Sequence, residues 1–590
     1  METCIYNIMS KLLKCFSAKD WLFIFLSLAL LGAQVYCNLT LPEYMGAIVG
    51  NIKAGAMAGD LSLYWSDILK NGGIMLAFVA AIYTTTILVS YLSSFAITDA
   101  MAKARQQVFG KVNDFSMTEI NKFSIPSLIT RSTNDITQLQ QTLFMIINLG
   151  LTAPITGIVA VIKILNLSGD LSIVTALSVV ALILLVLVMF IFVVPKFKKI
   201  QSLTDKVNLL TRENLTGIKV VRAYGAEKNQ EQKFENVNRE VAKTDIFVDR
   251  IAGLVSPSMS FIMSATSLAL VWLGAYLIND GKIDFEILTV FTQYSMQIIM
   301  AFMMISMLLV MVPRGIVSAQ RINEVLKSQS SITDGAGVDE NLLTEKGTIE
   351  FKNVSFKYPG ADDYVLKNIS FKAQKGQTVA FIGSTGSGKS TLINLVPRFY
   401  DASEGEVMVD GRDVKDYKTA DLHDKIGYIP QKGVLFSGTI EDNIKYGKAD
   451  ATEDEVNEAL KISQSKFVFA KPEGVQYNVA QGGHNVSGGQ KQRLSIARAL
   501  VRKPEFLIFD DSFSALDYKT DKALRRALKS HTKGTTCLIV AQRIGTIRDA
   551  DQIIVLSDGE MVGIGKHDEL LSSCPVYKEI ALSQLKKEEL

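Results

Sequence analysis

The stretch TVAFIGSTGSGKSTLINLV, residues 378–396, decides the fold of the C-terminal half of this chain. It joins an apolar strand-like segment to a helix-like segment through small residues, with Gly383, Gly388, Lys389 and Ser390 at the P-loop spacing. In such a loop, backbone N–H groups wrap phosphate oxygens, the lysine reaches the outer phosphates and the serine hydroxyl can bind Mg²⁺. The sequence therefore predicts an α/β domain with a nucleoside-triphosphate loop formed by Gly383, Ser384, Thr385, Gly386, Ser387, Gly388, Lys389, Ser390 and Thr391.

N-terminal to this domain, the composition changes to long apolar runs. A bilayer core of about 30 Å requires about 20 apolar residues per helix. Six segments are that long and poor in charge: 21–48, 73–97, 139–162, 171–195, 251–278 and 286–312. We predict four regions: an amphipathic segment at 1–20, an all-α domain of six transmembrane helices at 21–315, a linker at 316–345 and a nucleotide-binding domain at 346–590.

Basic residues are distributed unequally among the loops between these segments. The long loops at 98–138 and 196–250 carry most of them, whereas the opposite loops carry only Lys53, Lys70, Lys163 and Lys282. Because cytosolic loops are enriched in Lys and Arg, we expect both long loops, both termini and the nucleotide-binding domain to be cytosolic. The length of the loops predicts helical extensions with short cross-pieces near 114–120 and 208–215.

The overall charge and the cysteines argue against other classes of protein. The 62 basic and 59 acidic residues give a net charge of +3, so no strong field favours nucleic acid. The five cysteines form no CxxC pair and no cluster with histidine, which gives no support to a disulfide framework or to a metal site of that type.

The sixth apolar segment carries a stripe of methionines. Six of them fall on one face of a helix at 100° per residue: Met296, Met300, Met303, Met304, Met307 and Met311. Thioethers adapt to varied apolar ligands, so part of this stripe is a candidate substrate surface. The candidate contacts are Met296, Met300, Met303 and Met307. The alternative interpretation is ordinary helix packing or contact with the lipid bilayer.

Further motifs follow the P-loop in a fixed order: YIPQKGVLF with Gln431, NVSGGQKQR at 485–493, FLIFDDSFSALD at 506–517 and IVAQRIGTIRDAD at 539–551. Together they resemble the nucleotide-binding domain of ABC transporters, and with six preceding spans the chain resembles an ABC exporter half-transporter. SLITRSTNDITQLQQ at 127–141 is similar to the first cytosolic loop of bacterial multidrug-type exporters. The resemblance implies an ATP-driven translocase of the bacterial plasma membrane that uses ATP and Mg²⁺.

The resemblance also assigns roles at matching positions. Tyr358 matches the aromatic residue that stacks on adenine, with strand-end packing as the alternative. Gln431 matches the residue that senses Mg²⁺ and the attacking water, and Asp510 matches the acid that holds Mg²⁺ together with Ser390. The signature residues, which would close over the nucleotide of an opposite subunit, are Ser487, Gly488, Gly489 and Gln490. Asp517, also a candidate nucleotide-binding residue, ends the SALD segment that matches the loop crossing the dimer interface.

Two positions depart from the pattern of active members. Asp511 stands where they carry the catalytic glutamate, and the missing methylene withdraws the carboxylate by about 1.5 Å. Gln542 stands where they carry the switch histidine, and an amide cannot hold a proton charge. The signature residues Ser487–Gln490 are intact, so these departures predict a heterodimer of two ABC half-transporters. This chain would form a degenerate site, and its signature would complete the catalytic site of a partner that carries the glutamate and the histidine.

The leading hypothesis is therefore a subunit of an exporter that moves amphipathic or hydrophobic small molecules out of the cytosol. One alternative is an exporter of peptides or lipids, which these motifs do not distinguish from a multidrug exporter. Another is a regulatory membrane subunit that binds ATP without pumping, a role that Asp511 and Gln542 would also suit.

Overall fold

The computed structural model describes residues 12–343 and 345–584. Most of the predicted amphipathic segment and the last residues of the predicted nucleotide-binding domain lie outside the described residues. The chain divides into two compact units. The first contains residues through Asn113 and Pro126–Lys327, and the second contains Asp114–Ile125 and the residues from Ser328 onward. The predicted boundaries at 20, 315 and 345 stay predictions.

The N-terminal half is helical. Its helices are α1 (Ala18–Ala58), α2 (Trp65–Asn113), α3 (Met117–Phe123), α4 (Ile125–Ser132), α5 (Asn134–Met145), α6 (Thr152–Leu167), α7 (Gly169–Thr216), α8 (Ile218–Ala223), α9 (Glu227–Asn279) and α10 (Phe285–Lys327). Among the described residues, six stretches are long and apolar enough to cross a membrane: Ala18–Ala58, Leu61–Asn113, Ile125–Leu167, Gly169–Val193, Glu227–Asn279 and Phe285–Lys327. The prediction of six apolar spans is confirmed. A π-helical turn at Ile146–Gly150 interrupts the third stretch.

Polar side chains inside the first unit bind one another or the backbone. The hydroxyls of Thr175 and Ser295 lie 2.9 Å apart, and those of Ser178 and Thr266 lie 2.6 Å apart. The fully buried Tyr294 donates a hydrogen bond of 2.7 Å to the carbonyl of Leu39. Because the bilayer core holds no water, such groups need protein partners, and these contacts tie the helices together.

The short helix α3 overlaps the cross-piece predicted near 114–120, whereas the short helix α8 follows the one predicted near 208–215. Helix α3 begins at Met117 and is capped by Ser116, whose Oγ accepts a hydrogen bond of 3.2 Å from the Thr118 N–H. This helix belongs to the second unit. The prediction of a cross-piece at 208–215 is wrong, because α7 continues through these residues to Thr216. The break comes at Gly217, and the short helix that follows is α8. An amphipathic pattern does not distinguish the end of a long helix from a new short one.

The strands lie in the second unit. They are β1 (Ile349–Phe356), β2 (Leu366–Ala373), β3 (Thr378–Gly383), β4 (Glu404–Val409), β5 (Arg412–Asp413), β6 (Ile426–Ile429), β7 (Gly438–Thr439), β8 (Asn478–Val479), β9 (Phe506–Asp510), β10 (Thr536–Val540), β11 (Gln552–Ser557) and β12 (Glu560–Gly565). A six-stranded sheet has the order β12-β11-β3-β10-β9-β6, and a four-stranded antiparallel sheet has the order β2-β1-β4-β5.

The remaining helices complete this unit. They are α11 (Lys389–Ile393), α12 (Thr419–Asp424), α13 (Ile440–Lys445), α14 (Glu453–Ile462), α15 (Lys466–Phe469), α16 (Gly488–Leu500), α17 (Tyr518–His531), α18 (Ile544–Ile547), α19 (His567–Ser573) and α20 (Pro575–Gln584). Every residue of β9 and β10 is buried, as expected for central parallel strands. The predicted α/β architecture of this half is confirmed.

The order of the parallel strands assembles the site. Strands β3, β10, β9 and β6 are neighbours and run parallel. The P-loop follows β3, Gln542 follows β10, Asp511 follows β9 and Gln431 follows β6. Ligands of open α/β sheets bind at the carboxyl ends of the strands, and four motifs that are far apart in the sequence therefore meet at one edge.

Candidate nucleotide site

The P-loop needs glycine where it turns into α11. Gly388 has a φ of +93°, and a Cβ there would lie 2.7 Å from Leu366 Cδ2 and 3.0 Å from the carbonyl oxygen of Val365. Gly386 has a φ of +87°. A side chain at either position would be strained, because L-residues rarely adopt these angles. The loop therefore keeps the open backbone that a phosphate cradle requires.

Lys389 lies inside the loop. Its Nζ donates hydrogen bonds to the carbonyls of Gly383 at 2.9 Å and Ser384 at 2.6 Å, and to Ser387 Oγ at 3.2 Å. Burial lowers the pKa of Lys389, and the nearby carboxylates of Asp511 and Asp510 oppose that change. The ammonium group thus stands between the phosphate loop and the acidic end of β9.

Ser390 and Asp510 form the pair expected to hold Mg²⁺. Ser390 Oγ donates a hydrogen bond of 2.6 Å to Asp510 Oδ1. Burial raises the pKa of Asp510, while hydrogen bonds from Ser390 and Tyr428 and the charge of Lys389 oppose the rise. Hydroxyl and carboxylate oxygens are ligands that Mg²⁺ prefers, and in nucleotide sites phosphates and water supply the others. The two residues fit a Mg²⁺ site of this kind.

Asp511 and Gln542, the two departures from the active pattern, contact each other. Gln542 Nε2 donates a hydrogen bond of 2.9 Å to Asp511 Oδ2, and Gln431 Nε2 lies 3.5 Å from the same oxygen. Asp511 has a φ of +45°, a left-handed conformation that aspartate tolerates better than most residues. Burial raises its pKa, a hydrogen bond from Gln431 opposes the rise and the charge of Asp510 adds to it. The two substitutions therefore form one hydrogen-bonded pair.

The predicted adenine side lies in a small aromatic cluster. The hydroxyls of Tyr358 and Thr391 are 3.0 Å apart, and the Tyr358 ring meets Tyr400 edge-on at 5.3 Å. Tyr400 in turn accepts a hydrogen bond of 2.9 Å from Asn121 Nδ2 of α3. These rings border a cavity of about 640 Å³. Sequence reasoning missed Tyr400 and Asn121, because 279 residues separate the two partners and neither lies in a nucleotide motif.

The signature residues begin α16. Ser487 Oγ accepts a hydrogen bond of 3.4 Å from the Gln490 N–H, and the Ser487 N–H donates to Gln490 Oε1 at 3.1 Å. Ser487 and Gly488 are exposed, and a Cβ on Gly489 would lie 3.2 Å from the carbonyl of Ala515. This capping box orients the N-terminus of a 13-residue helix toward solvent.

Asp517 caps the next helix, α17. Its Oδ1 accepts a hydrogen bond of 2.9 Å from the Thr520 N–H, and that bond lowers the pKa of Asp517. Asp517 and Ser487 are both exposed. Among the described residues, the hydrogen bonds of both side chains stay in the first turn of their own helices. The structure does not join either residue to the P-loop of the same chain.

Three of the four candidate substrate methionines line cavities of the first unit. Met303 and Met307 line a cavity of about 350 Å³, called the methionine cavity below. Its other lining residues are Leu185, Val186, Met189, Ala252, Val255, Ser256, Met259, Ser260, Met263 and Ser306. Met296 lines a neighbouring cavity of about 590 Å³. Met300 lines neither and is 46% exposed. Sequence reasoning missed the contributions of α7 and α9 because it examined one helix at a time.

Comparisons with known proteins cover both halves of the chain. The transmembrane region of ABC transporters matches residues 22–302. A second family model, described as ABC transporter, matches residues 366–514. The two matched ranges include all six spans in part or whole, the P-loop, the signature residues 487–490 and strand β9.

Several curated bacterial proteins are similar over nearly the full length. An uncharacterized ABC transporter ATP-binding protein of Mycobacterium bovis is 37% identical over 550 residues, which is 93% of each chain. A probable multidrug resistance ABC transporter of Bacillus subtilis is 31% identical over 98% of this chain and 97% of its own. A fatty acid ABC transporter of M. bovis is 31% identical over 86% of this chain and 80% of its own.

A solved structure shares the fold. A bacterial Atm1-family ABC exporter with ATP bound aligns with a TM-score of 0.77 and 24% identity, covering 96% of this chain and 98% of that one. The fold, the two family matches and the full-length relatives agree. The chain belongs to the ABC transporter family, as an exporter half-transporter with a membrane domain and an ATP-binding domain.

Proposed function

We propose that this chain is the degenerate-site subunit of a heterodimeric ABC exporter. The observation that carries the proposal is the 2.9 Å hydrogen bond between Gln542 and Asp511, which occupies the carboxylate at the position of the catalytic base. A base must lie within hydrogen-bonding reach of the proton that it removes. Asp511 is both shorter than glutamate and held by an amide, so we expect slow hydrolysis at this site.

ATP binding at the same site is expected to be firm. The P-loop backbone and Lys389 would hold the phosphates, with Tyr358 beside the adenine. Ser390 and Asp510, with Gln431 nearby, would hold Mg²⁺, whose chemical contribution is to neutralise phosphate charge and orient the outer phosphate. None of these groups is altered by the departures at Asp511 and Gln542. Binding and hydrolysis are thus separable in this chain.

The competent site would be shared with the partner half-transporter. Ser487, Gly488, Gly489 and Gln490 would close over the nucleotide held by the partner's P-loop, and Asp517 would lie in the same interface. The exposed, capped N-terminus of α16 supports this role, because helix N-termini bind anions. ATP-driven closure of both sites would then be transmitted to the membrane helices.

We propose hydrophobic or amphipathic small molecules as substrates. The lining of the methionine cavity contains apolar residues and serines but no charged residue among the described ones. A charged cargo would lose its hydration there without gaining a partner. One relative is named for multidrug resistance and another for fatty acids, which are amphipathic molecules, and both names agree with this proposal. Peptide or lipid export stands as the alternative.

We propose that the protein lies in the bacterial plasma membrane. The excess of basic residues in the two long loops supports a multi-pass protein with both termini in the cytosol, and the bacterial relatives support the plasma membrane.

The deciding experiment compares the purified full-length chain alone with its complex with the partner, in proteoliposomes. We expect slow ATP hydrolysis by the chain alone and fast hydrolysis with uphill dye transport by the complex. Full-rate hydrolysis by the chain alone would overturn the degenerate site. A complex that binds ATP but shows neither hydrolysis nor transport would favour the regulatory alternative.

A further inference from the structure

The C-terminal helix α20 contacts the loop that carries Gln542. Gln584, at the end of α20, donates a hydrogen bond of 2.7 Å from Nε2 to the carbonyl of Gln542. Its Oε1 accepts a hydrogen bond of 2.8 Å from the N–H of Ile544. A single amide thus binds the main chain on both sides of Arg543. The two bonds have opposite polarity, so only a side chain with both a donor and an acceptor can form both.

Helix α20 is itself firmly held. Tyr577 and Ala581 on this helix are fully buried in the domain core. The Tyr577 hydroxyl lies 2.7 Å from Nδ1 of His567 on α19. Gln584 lies one turn beyond Ala581, so its amide projects from an anchored helix. The helix therefore offers a fixed reference point to the loop.

The loop between β10 and α18 leaves the sheet, and Gln584 binds its main chain. Ala541 and Ile544 are buried, whereas Gln542 and Arg543 between them are exposed. Ala541 still follows the sheet, since its N–H donates 3.2 Å to the carbonyl of Phe381. Beyond Ala541 the loop leaves the ladder, and the Gln584 amide binds it there. The same stretch of main chain carries the Gln542 side chain toward Asp511.

We propose that Gln584 is a positioning residue that fixes the Gln542 loop against the outer phosphate of bound ATP. It acts through the main chain of Gln542 and does not touch the nucleotide. The inference rests on the proposed ATP site, and on the Gln542 amide, at the position of the switch histidine, donating a hydrogen bond to the outer phosphate when ATP is bound. It adds that the far C-terminal helix helps the site to distinguish ATP from ADP, because ADP lacks the group that Gln542 would meet.

The test uses the full-length chain in lipid nanodiscs. Gln584→Met keeps the length of the side chain and removes both hydrogen bonds. Ser583→Ala is the matched control, since within the described part of the chain Ser583 Oγ donates only inside α20, to the carbonyl of Ile580 at 2.8 Å. Affinities for ATP and ADP are measured by competition with a fluorescent ATP analogue. We expect the ATP-to-ADP affinity ratio to fall about tenfold in Gln584→Met, which corresponds to ~1.4 kcal/mol. Ser583→Ala should leave the ratio unchanged.

Two outcomes would overturn the proposal. One is that the affinities for ATP and ADP are both unchanged in Gln584→Met. The other is equal weakening of ATP and ADP, which would indicate a general structural role. If Gln584→Met fails to fold, Gln584→Glu replaces it, because the carboxylate accepts from Ile544 but opposes the Gln542 carbonyl. That variant should lower the ratio in the same direction.

A double-mutant cycle separates positioning from stability. In a Gln542→Ala background the side chain that Gln584 positions is absent, so Gln584→Met should no longer change the ATP-to-ADP ratio. A persistent tenfold effect there would refute action through Gln542. The degenerate-site proposal fails on a different measurement, the hydrolysis rate of the unmodified chain. The two failures are therefore distinguishable.

Discussion

Restoring a catalytic base at position 511 tests the central hypothesis most directly. Asp511→Glu advances the carboxylate by about 1.5 Å, one methylene. However, Gln542 Nε2 already lies 2.9 Å from Asp511 Oδ2, so the longer side chain would press into the amide. The single substitution should therefore give only part of the gain. Asp511→Glu combined with Gln542→His replaces the hydrogen-bonded pair as a unit.

We expect the double substitution to raise ATP hydrolysis at this site by about 10²-fold. A misplacement of about 1 Å can cost about 10²-fold, and a positioned general base contributes about 10² to 10⁴. The rest of the site is already in place, with Ser390 Oγ 2.6 Å from Asp510 and Lys389 in the loop. The double substitution therefore changes only the base and its neighbour, and we use about 10², the lower end of the range.

The assay is phosphate release by the complex with the partner, in which the partner's catalytic base is replaced so that only this chain's site reports. Adding Lys389→Ala to the double variant is the control and should remove the gain, since the phosphates lose their cation. The reasoning would be refuted if the double variant bound ATP normally and hydrolysed it no faster than the unmodified chain.

Three further predictions concern other parts of the molecule. Asp511→Asn should raise the melting temperature of the nucleotide-free chain by about 2 °C at pH 7.5. Burial raises the pKa of Asp511, so the folded chain binds the carboxyl proton more tightly than the unfolded chain. The stability that comes from this protonated carboxyl is lost as the pH rises. The advantage of asparagine in thermal unfolding should therefore shrink toward pH 4.5. Tyr400→Phe removes the 2.9 Å hydrogen bond from Asn121 and keeps the ring. Because Asn121 lies in a segment that the chain connects on both sides to residues of the first unit, we expect this bond to help couple ATP hydrolysis to transport. ATP affinity should be nearly unchanged, severalfold less dye should be transported per ATP hydrolysed, and an unchanged transport ratio would contradict this coupling role. Met303→Ser should weaken binding of an apolar dye about tenfold, whereas Met300→Ser, outside the methionine cavity, should not; equal effects of the two variants on dye binding would argue for lipid contact or packing.

The sequence was most informative where one motif needs only its own neighbours. The P-loop was predictable because strand, glycines, Lys389 and helix are contiguous, and the six spans because a bilayer imposes a length on each helix. The strand order then explains why Gln431, Asp511 and Gln542 meet, although spacing alone cannot supply distances.

Contacts between distant segments were not predictable in this way. The hydrogen bond from Gln584 joins residues 42 positions apart, and a glutamine near the end of an amphipathic helix carries no motif. The error at 208–215 has another origin: α7 ends only at Thr216, before Gly217, and an amphipathic pattern does not mark where a helix ends. Local patterns identify elements, whereas the partners of polar side chains follow from the tertiary fold.

The contact between Asp511 and Gln542 changes how the two departures are interpreted. Taken separately, each is a defect in a hydrolytic site, and two defects suggest loss of function. Taken together, they form a satisfied pair: a buried carboxylate that would otherwise be costly accepts a hydrogen bond from the amide that replaces the histidine. The groups expected to bind nucleotide are retained around this pair, from Lys389 to the bond between Ser390 and Asp510. Random loss of function would not be expected to leave the binding groups intact and, at the two catalytic positions, a pair of residues that hydrogen-bond to each other. This selective pattern favours a site that retains ATP while the partner's site turns it over.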